Sequence, residues 1–236
     1  MKSKLIKSSE RGAANHGWLN ARHTFSFAGF YNPDQVHFGM LRVFNDDIVA
    51  GGMGFGTHPH DNMEIVTIPL RGTLEHKDSM GTHSTISVGE VQIMSAGTGI
   101  THSEFNHNKT EEINLLQIWV FPKLNNITPR YDQAFFLPED RKNAIQTVVS
   151  PGREENTLWI NQDAWFSLGS LDEGKSVAYN IKRNDNGVWL FVVEGSVEVN
   201  GIKLERRDSL GLSQTNEISI KADSNTEFVL IDVPMN

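Results

Sequence analysis

The chain has 236 residues, 38% hydrophobic and 21% charged, with 20 glycines, 8 prolines, no cysteine and a formal net charge of −8. That length suffices for one large or two small cored domains, and the lack of cysteine excludes disulfides, thiol catalysis and thiolate-bound metal. Net negative charge, with no Lys/Arg run longer than Arg206-Arg207, argues against direct nucleic-acid binding, and the longest apolar run, 188–193, is far short of the roughly 20 residues of a membrane-spanning helix.

In chain order, the basic start MKSKLIKSSERG lacks the apolar stretch of a secretory signal, so a cytoplasmic location is expected. Period-two alternation and β-branched or aromatic runs then recur between Gly, Asn and Asp turns, with no stretch of helical periodicity longer than about ten residues. Strands are expected at 23–27, 38–44, 63–70, 73–77, 82–87, 91–94, 101–106 and 114–121. A polar, Pro-containing stretch at 122–130 separates these from a second series at 146–149, 158–171, 176–181, 188–194, 196–199, 209–212, 217–222 and 226–233. The fold class is therefore all-β, built as sandwiches or jelly-roll barrels rather than βαβ units. The two series also resemble each other. Leu70-Arg71-Gly72-Thr73-Leu74-Glu75 is followed by Gly89-Glu90-Val91, and Val193-Glu194-Gly195-Ser196-Val197-Glu198 by Arg207-Asp208-Ser209, which reads as an internal duplication.

All nine histidines lie between His16 and His107, so the last 129 residues have none. His58-Pro59-His60 and His102-Ser103-Glu104 stand out, because side chains at i and i+2 of a strand share a face and each pair would aim two ligands into one barrel. Imidazole nitrogen with one carboxylate suits a borderline divalent metal and open positions for oxygen chemistry. Glu64 competes with Glu104 for the carboxylate position, since His58, His60 and Glu64 also share a parity. Along a straight strand Glu64 would lie ~13 Å from His60, whereas Glu104 neighbours His102 at ~7 Å, which favours Glu104. Glu64 is then expected to orient a ligand imidazole by hydrogen bonding. His76 and His83 fall on a predicted hairpin around Asp78-Ser79-Met80-Gly81, where hydrogen bonding is the expected role, and His107 should face outward.

The spacing extends beyond the histidines. Gly52, His58, His60, Glu64 and Gly72, followed by Gly89, Gly99, His102 and Asn106, resemble the two-part cupin signature, with Gly97 where a proline is expected and one extra residue before Gly72. The stretch THPHDNMEIVTIPLRGTLEHKDSMGTHSTISVGEVQIMSAGTGITHSEFN, residues 57–106, is similar to the pirin family, and the likeness is dense over 41–122. That resemblance implies a bicupin, two double-stranded β-helix barrels: 1–128 binding one divalent metal and 129–236 without ligands. It implies His58, His60, His102 and Glu104 as the metal-binding residues, with Fe(II) expected and Ni, Cu, Co, Mn or Zn as alternatives. It further implies quercetin 2,3-dioxygenase activity, in which a flavonol or similar aromatic enol meets O2 at the metal, CO is released and Glu104 serves as general base. Met53, Phe55 and Phe105 are candidates to line a slot for a flat substrate. The alternative reading of the same resemblance is a non-enzymatic metal or redox sensor acting through a protein partner.

Two nucleotide-like patterns fail on mechanism. Gly169-Ser-Leu-Asp-Glu-Gly-Lys-Ser176 fits a P-loop, but the following residues alternate as a strand where a helix N-terminus would be needed, so a tight turn is expected. Gly52-Met-Gly-Phe-Gly56 runs into His-Pro rather than a helix.

Overall fold

A computed structural model describes residues 1–152 and 156–236. In its first half the strands are β1 (Lys2–Ile6), β2 (Gly12–Asn15), β3 (Leu19–His23), β4 (Leu41–Val49), β5 (Gly54–His60) and β6 (Glu64–Arg71). They continue with β7 (Thr73–Asp78), β8 (His83–Ser87), β9 (Glu90–Ser95), β10 (Ile100–Asn106), β11 (Ile113–Val120) and β12 (Arg130–Phe135). The second half contributes β13 (Ala144–Ser150), β14 (Leu158–Trp159), β15 (Trp165–Leu171), β16 (Ser176–Asn180) and β17 (Asn186–Glu194). It ends with β18 (Val197–Val199), β19 (Ile202–Leu204), β20 (Ser209–Ser213), β21 (Glu217–Ala222) and β22 (Thr226–Pro234). Helix is confined, among the described residues, to two single turns, and no helix is long and apolar enough to cross a membrane.

The expected duplication is written in the strand order. One half pairs as β12-β9-β6-β11-β4-β3-β2 over β5-β10-β7-β8, and the other as β1-β20-β17-β22-β15-β13-β14 over β16-β21-β18-β19. Each half is thus a seven-stranded sheet facing a four-stranded one, a jelly-roll barrel of the cupin kind. Gly72 and Gly195 occupy matching turns at the same φ of +81°, a left-handed conformation that glycine adopts without a Cβ penalty. Strand pairing does not follow the expected division at 128/129 at two places. Strand β1 hydrogen-bonds to β20 of the second barrel, and β12 to β9 of the first, so each half lends the other an edge strand.

The two seven-stranded sheets pack face to face, and the largest cluster of buried apolar residues lies between them. It includes Phe44, Val66, Ile68 and Ile118 from the first half and Phe166, Trp189, Phe191 and Ile231 from the second, with Phe44 and Phe191 rings 4.7 Å apart. Strand β17 is covered on both faces, which is why its sequence runs apolar instead of alternating, whereas β21, in a four-stranded sheet, alternates exposed and buried along its length.

Several boundaries differ from the sequence expectation for identifiable reasons. Strand β4 continues through Asn45, Asp46 and Asp47, polar residues that are nonetheless buried; Asp46 takes Arg11 and Arg207 at 3.2 and 3.1 Å. The expected strand 38–44 starts only at Leu41, after a turn in which Gly39 has φ +51°. The expected strand 158–171 is broken between Trp159 and Trp165, where Asn161 and Gln162 donate side-chain hydrogen bonds to the carbonyls of Leu124 and Phe121. The P-loop-like segment is a turn between β15 and β16, as expected.

Candidate metal centre

The candidate centre is assembled across β5, β10 and β7 in the four-stranded sheet of the first barrel. Strand β5 lies at its edge, where Pro59, lacking an N–H, is tolerated between the two histidines. In the antiparallel pairing His58 lies opposite His102 and His60 opposite Ile100, and a bulge follows between His102 and Glu104. On the other side of β10, Glu104 lies opposite His76 and His102 opposite Asp78. Alternation along β10 turns Ile100, His102, Glu104 and Asn106 inward. The rings of His58, His60 and His102 approach with centroids 4.4 to 4.9 Å apart, and one nitrogen of each lies within 4.8 Å of the others. His58 Nδ1 sits 2.8 Å from the Gly56 carbonyl oxygen, so Nδ1 donates there and Nε2 faces the cluster.

Glu104 is buried, and its carboxylate groups with His102 and His76. Its Oε2 accepts a 2.8 Å hydrogen bond from Gln117 Nε2, and Gln117 Oε1 in turn accepts one from the Thr67 hydroxyl. Glu104 Oε1 and His102 Nε2 are both buried without a hydrogen-bond partner. Burial pushes the Glu104 carboxyl up from its ordinary range, with the Gln117 hydrogen bond acting in the opposite direction. Burial and then the neighbouring imidazoles push His102 down to about 2 and, with His58, push His60 down to about 4. These rings are therefore neutral near pH 7, the form that coordinates a cation. Three imidazole nitrogens, one carboxylate and two buried atoms left unsatisfied by protein fit a divalent metal of the borderline class.

The second carboxylate lies elsewhere. Glu64 Oε2 accepts from the Ser95 hydroxyl at 2.8 Å and from the Asn161 backbone N–H at 3.1 Å, so its hydrogen bonds join the first barrel to the second instead of orienting an imidazole. Burial pushes its carboxyl up to about 7. Of the remaining histidines, His83 and His107 are exposed around Glu75, and His107 faces outward as expected. His76, on the hairpin strand β7, makes a hydrogen bond as expected, its Nε2 3.1 Å from Asp78 Oδ2, and is also fully buried, with its ring 5.2 Å from that of His102. A second grouping of three candidate donors, His76, His102 and Glu104, follows from this.

The aromatic candidates are also redistributed. Phe55 packs edge-on against Trp18 in the apolar cluster with Leu74, and Met53 and Phe105 are exposed, Phe105 because it has the outward parity of β10. The aromatic neighbours of the imidazoles are instead Trp119, 4.9 Å from His60, and Tyr131, 4.7 Å from His76. Neither carries a local sequence signal, because β11 and β12 belong to the seven-stranded sheet and reach the site across the barrel. Gln117 and Thr67 were missed for the same reason, whereas Asp78 was read only as part of the hairpin turn. Gln117 and Thr67 lie opposite each other on β11 and β6 of the seven-stranded sheet that faces the ligand strands.

Comparison with known proteins agrees with this architecture. The Pirin family model matches residues 6–120, and that of the quercetinase C-terminal cupin domain matches 147–233. The chain is 47% identical over 230 residues to the quercetin 2,3-dioxygenase of Escherichia coli K12, covering 98% of both chains, and 38% identical over 222 residues to a pirin-like protein of Caulobacter vibrioides, covering 94% and 95%. The crystal structure of the bacterial pirin YhhW from Escherichia coli in complex with nickel(II) superposes with a TM-score of 0.93 at 45% identity, covering 99% of both chains. This chain, a bicupin with its His/Glu cluster in the first barrel, belongs to the pirin family.

Proposed function

We propose that the protein is a metal-dependent oxidoreductase that opens the central ring of flavonols such as quercetin with O2, releasing CO. The observation that carries this reading is a buried carboxylate with one unpaired oxygen, Glu104 Oε1, two residues along β10 from His102, whose imidazole clusters with those of His58 and His60, in a chain 47% identical to a protein named quercetin 2,3-dioxygenase. His58, His60, His102 and Glu104 would hold one divalent metal, for which Fe(II) is our expectation. When bound, the metal supplies Lewis acidity toward the substrate's 3-hydroxyl and 4-carbonyl oxygens and open positions for small ligands.

The chain's own residues do the rest. Glu104 accepts the 3-hydroxyl proton on Oε1 while Gln117, braced by Thr67, keeps Oε2 in place. Burial raises the proton affinity of that carboxylate, which helps it act as a base. The four side chains contribute one negative charge in all, so a divalent cation among them retains a net positive charge that favours a flavonolate over the neutral flavonol. Trp119, against His60, offers an aromatic wall beside the site.

The test is O2 uptake with CO release, comparing quercetin with its 3-deoxy analogue, under air and nitrogen, in metal-free protein and protein reconstituted with Fe(II), Ni, Co, Mn, Cu or Zn. Turnover of quercetin alone, dependent on O2 and metal, is expected. Equal loss of both compounds, or loss independent of O2 or metal, would rule the reading out.

A further inference from the structure

Two groups of candidate donors in the first barrel share His102: His58, His60 and His102, and His76, His102 and Glu104. The hydrogen bonds around His76 decide whether it is itself a ligand. Asp78 Oδ1 accepts the backbone N–H groups of Met80 and Thr82 at 2.9 and 3.0 Å, and Oδ2 lies 3.1 Å from His76 Nε2, with the Asp78 side chain wholly buried. A carboxylate only accepts, so His76 Nε2 must carry a hydrogen and donate it. In a neutral ring that leaves His76 Nδ1 with a lone pair, and the atom facing it, at 3.5 Å, is His102 Nδ1. His102 Nδ1 must then carry the hydrogen, and its lone pair is left on Nε2. That nitrogen is the buried one without a protein partner. With one hydrogen on each ring, every N–H along Asp78, His76 and His102 has an acceptor, and the nitrogen pointing onward is a lone pair.

We infer that Asp78 and His76 are positioning residues that fix the tautomer of His102, so that Nε2 is presented to the metal and His76 is kept out of the ligand set. The inference rests on the metal site proposed above. Tyr131 completes the arrangement: its ring lies over His76 with centroids 4.7 Å apart, and its hydroxyl is tied by a 2.6 Å hydrogen bond to Gln133, which blocks rotation of the imidazole. Tyr131 belongs to β12, so the edge strand lent across the barrels serves as the back wall of this relay. Through the relay the Asp78 charge makes His102 a stronger donor, as carboxylates behind ligand histidines generally do.

Asp78→Asn tests this directly. The amide oxygen can keep the Met80 and Thr82 N–H groups, which turns an NH2 donor toward His76 Nε2. His76 must then place its proton on Nδ1, His102 must accept there, and an N–H faces the cation. Zinc binding, measured by competition with a chelator, is expected to weaken about 10- to 100-fold. Long-range 15N NMR of zinc-loaded wild-type protein supplies a readout that does not depend on the variant folding. It should show His102 coordinating through Nε2 with Nδ1 protonated, and His76 protonated on Nε2. Coordination through His102 Nδ1, a His76 protonated on Nδ1, or zinc affinity in folded Asp78→Asn within about twofold of wild type would overturn the inference. His58→Ala separates the two failures. Zinc lost in His58→Ala but retained in Asp78→Asn refutes the relay alone, whereas zinc binding indifferent to His58 refutes the metal site and the relay with it. Neither readout requires flavonol turnover.

Discussion

The two barrels have the same strand order, so their interiors can be compared position by position through the pairing registers. Gly72 aligns with Gly195, and His76, opposite Glu104, corresponds to Val199, opposite Ile220. By the same registers His102 corresponds to Ile218, His58 to Tyr179 and His60 to Ile181. The hydrogen-bonded pair Gln117 and Thr67 corresponds to Leu230 and Leu190. Even Asp47 has a counterpart in Gly169, whose missing side chain leaves room for the ring of Phe228. In the second barrel these residues join one apolar cluster, Tyr179 adding a hydrogen bond to the buried Asp232; at the matching positions of the first, Asp47 Oδ1, His102 Nε2 and Glu104 Oε1 are buried without a partner, and burial raises the proton affinity of Asp47 and Glu104. Fully burying an aliphatic side chain contributes about 1.5–3 kcal/mol, so the first barrel forgoes cohesion at several positions that the second retains. The lesson is a division of labour within one scaffold: one barrel carries the site, and the other, sheet against sheet, stabilises it.

The sharpest way to break this comparison is to remove a candidate ligand. His102→Ala should abolish retention of metal, measured by elemental analysis against about one equivalent per chain in the wild type, while leaving the fold intact. Two equivalents in the wild type would mean that the second barrel has a site its residues do not display. Next in size is Glu104→Gln, which should retain weakened metal binding through the amide oxygen but lower turnover by about 10²- to 10⁴-fold, the usual effect of losing a general base. Unchanged turnover would remove Glu104 from the chemistry.

How much of this was legible in the sequence depends on whether a feature is local. The histidine pairs His58/His60 and His102/Glu104 follow from strand parity within a few residues, and the duplication follows from two short Gly turns. The strands β1 and β12 were not foreseen, because KSKLI and RYDQAF carry little alternation and become strands by completing an edge of a sheet whose other members are far away in sequence. The role of Glu64 failed for a related reason: its partner Asn161 is 97 residues away and in the other barrel. The hydrogen-bonding role of His76 was legible from its hairpin, but its burial against His102 and Tyr131 was not, because β12 is distant in sequence.

The lent strands make a third prediction of smaller size. Ile6, at the end of β1, is 1% exposed and belongs to the cluster shared by both barrels. Ile6→Ala should cost about 2–5 kcal/mol. Because the core is common, denaturant unfolding should remain a single transition at a lower midpoint, with near-ultraviolet circular dichroism and the shielded Trp189 reporting the same curve. Separate transitions would show that the two halves are less dependent on each other than their exchanged strands imply.

The last prediction concerns Glu64, a buried carboxyl whose hydrogen bonds join the barrels. Burial raises the Glu64 carboxyl from 4.5 to about 7, so the folded state binds its proton more tightly than the unfolded state. Its contribution to stability is therefore fully present below about pH 4.5 and is lost as the pH rises through about 7. Glu64→Gln preserves an oxygen that can accept from Ser95 and Asn161 but cannot ionise. In metal-free protein, where ligand binding does not contribute, the variant and the wild type should be nearly equal in stability at pH 4.5. By pH 8 the variant should be the more stable, by as much as about 3 kcal/mol at about 1.4 kcal/mol per pH unit. Thermal or denaturant unfolding at several pH values measures the difference, and subtracting the two curves removes the titrations of the histidines, which both proteins share. A constant difference across the range would mean that Glu64 stays ionised in the interface, held by its two hydrogen bonds against the cost of burial.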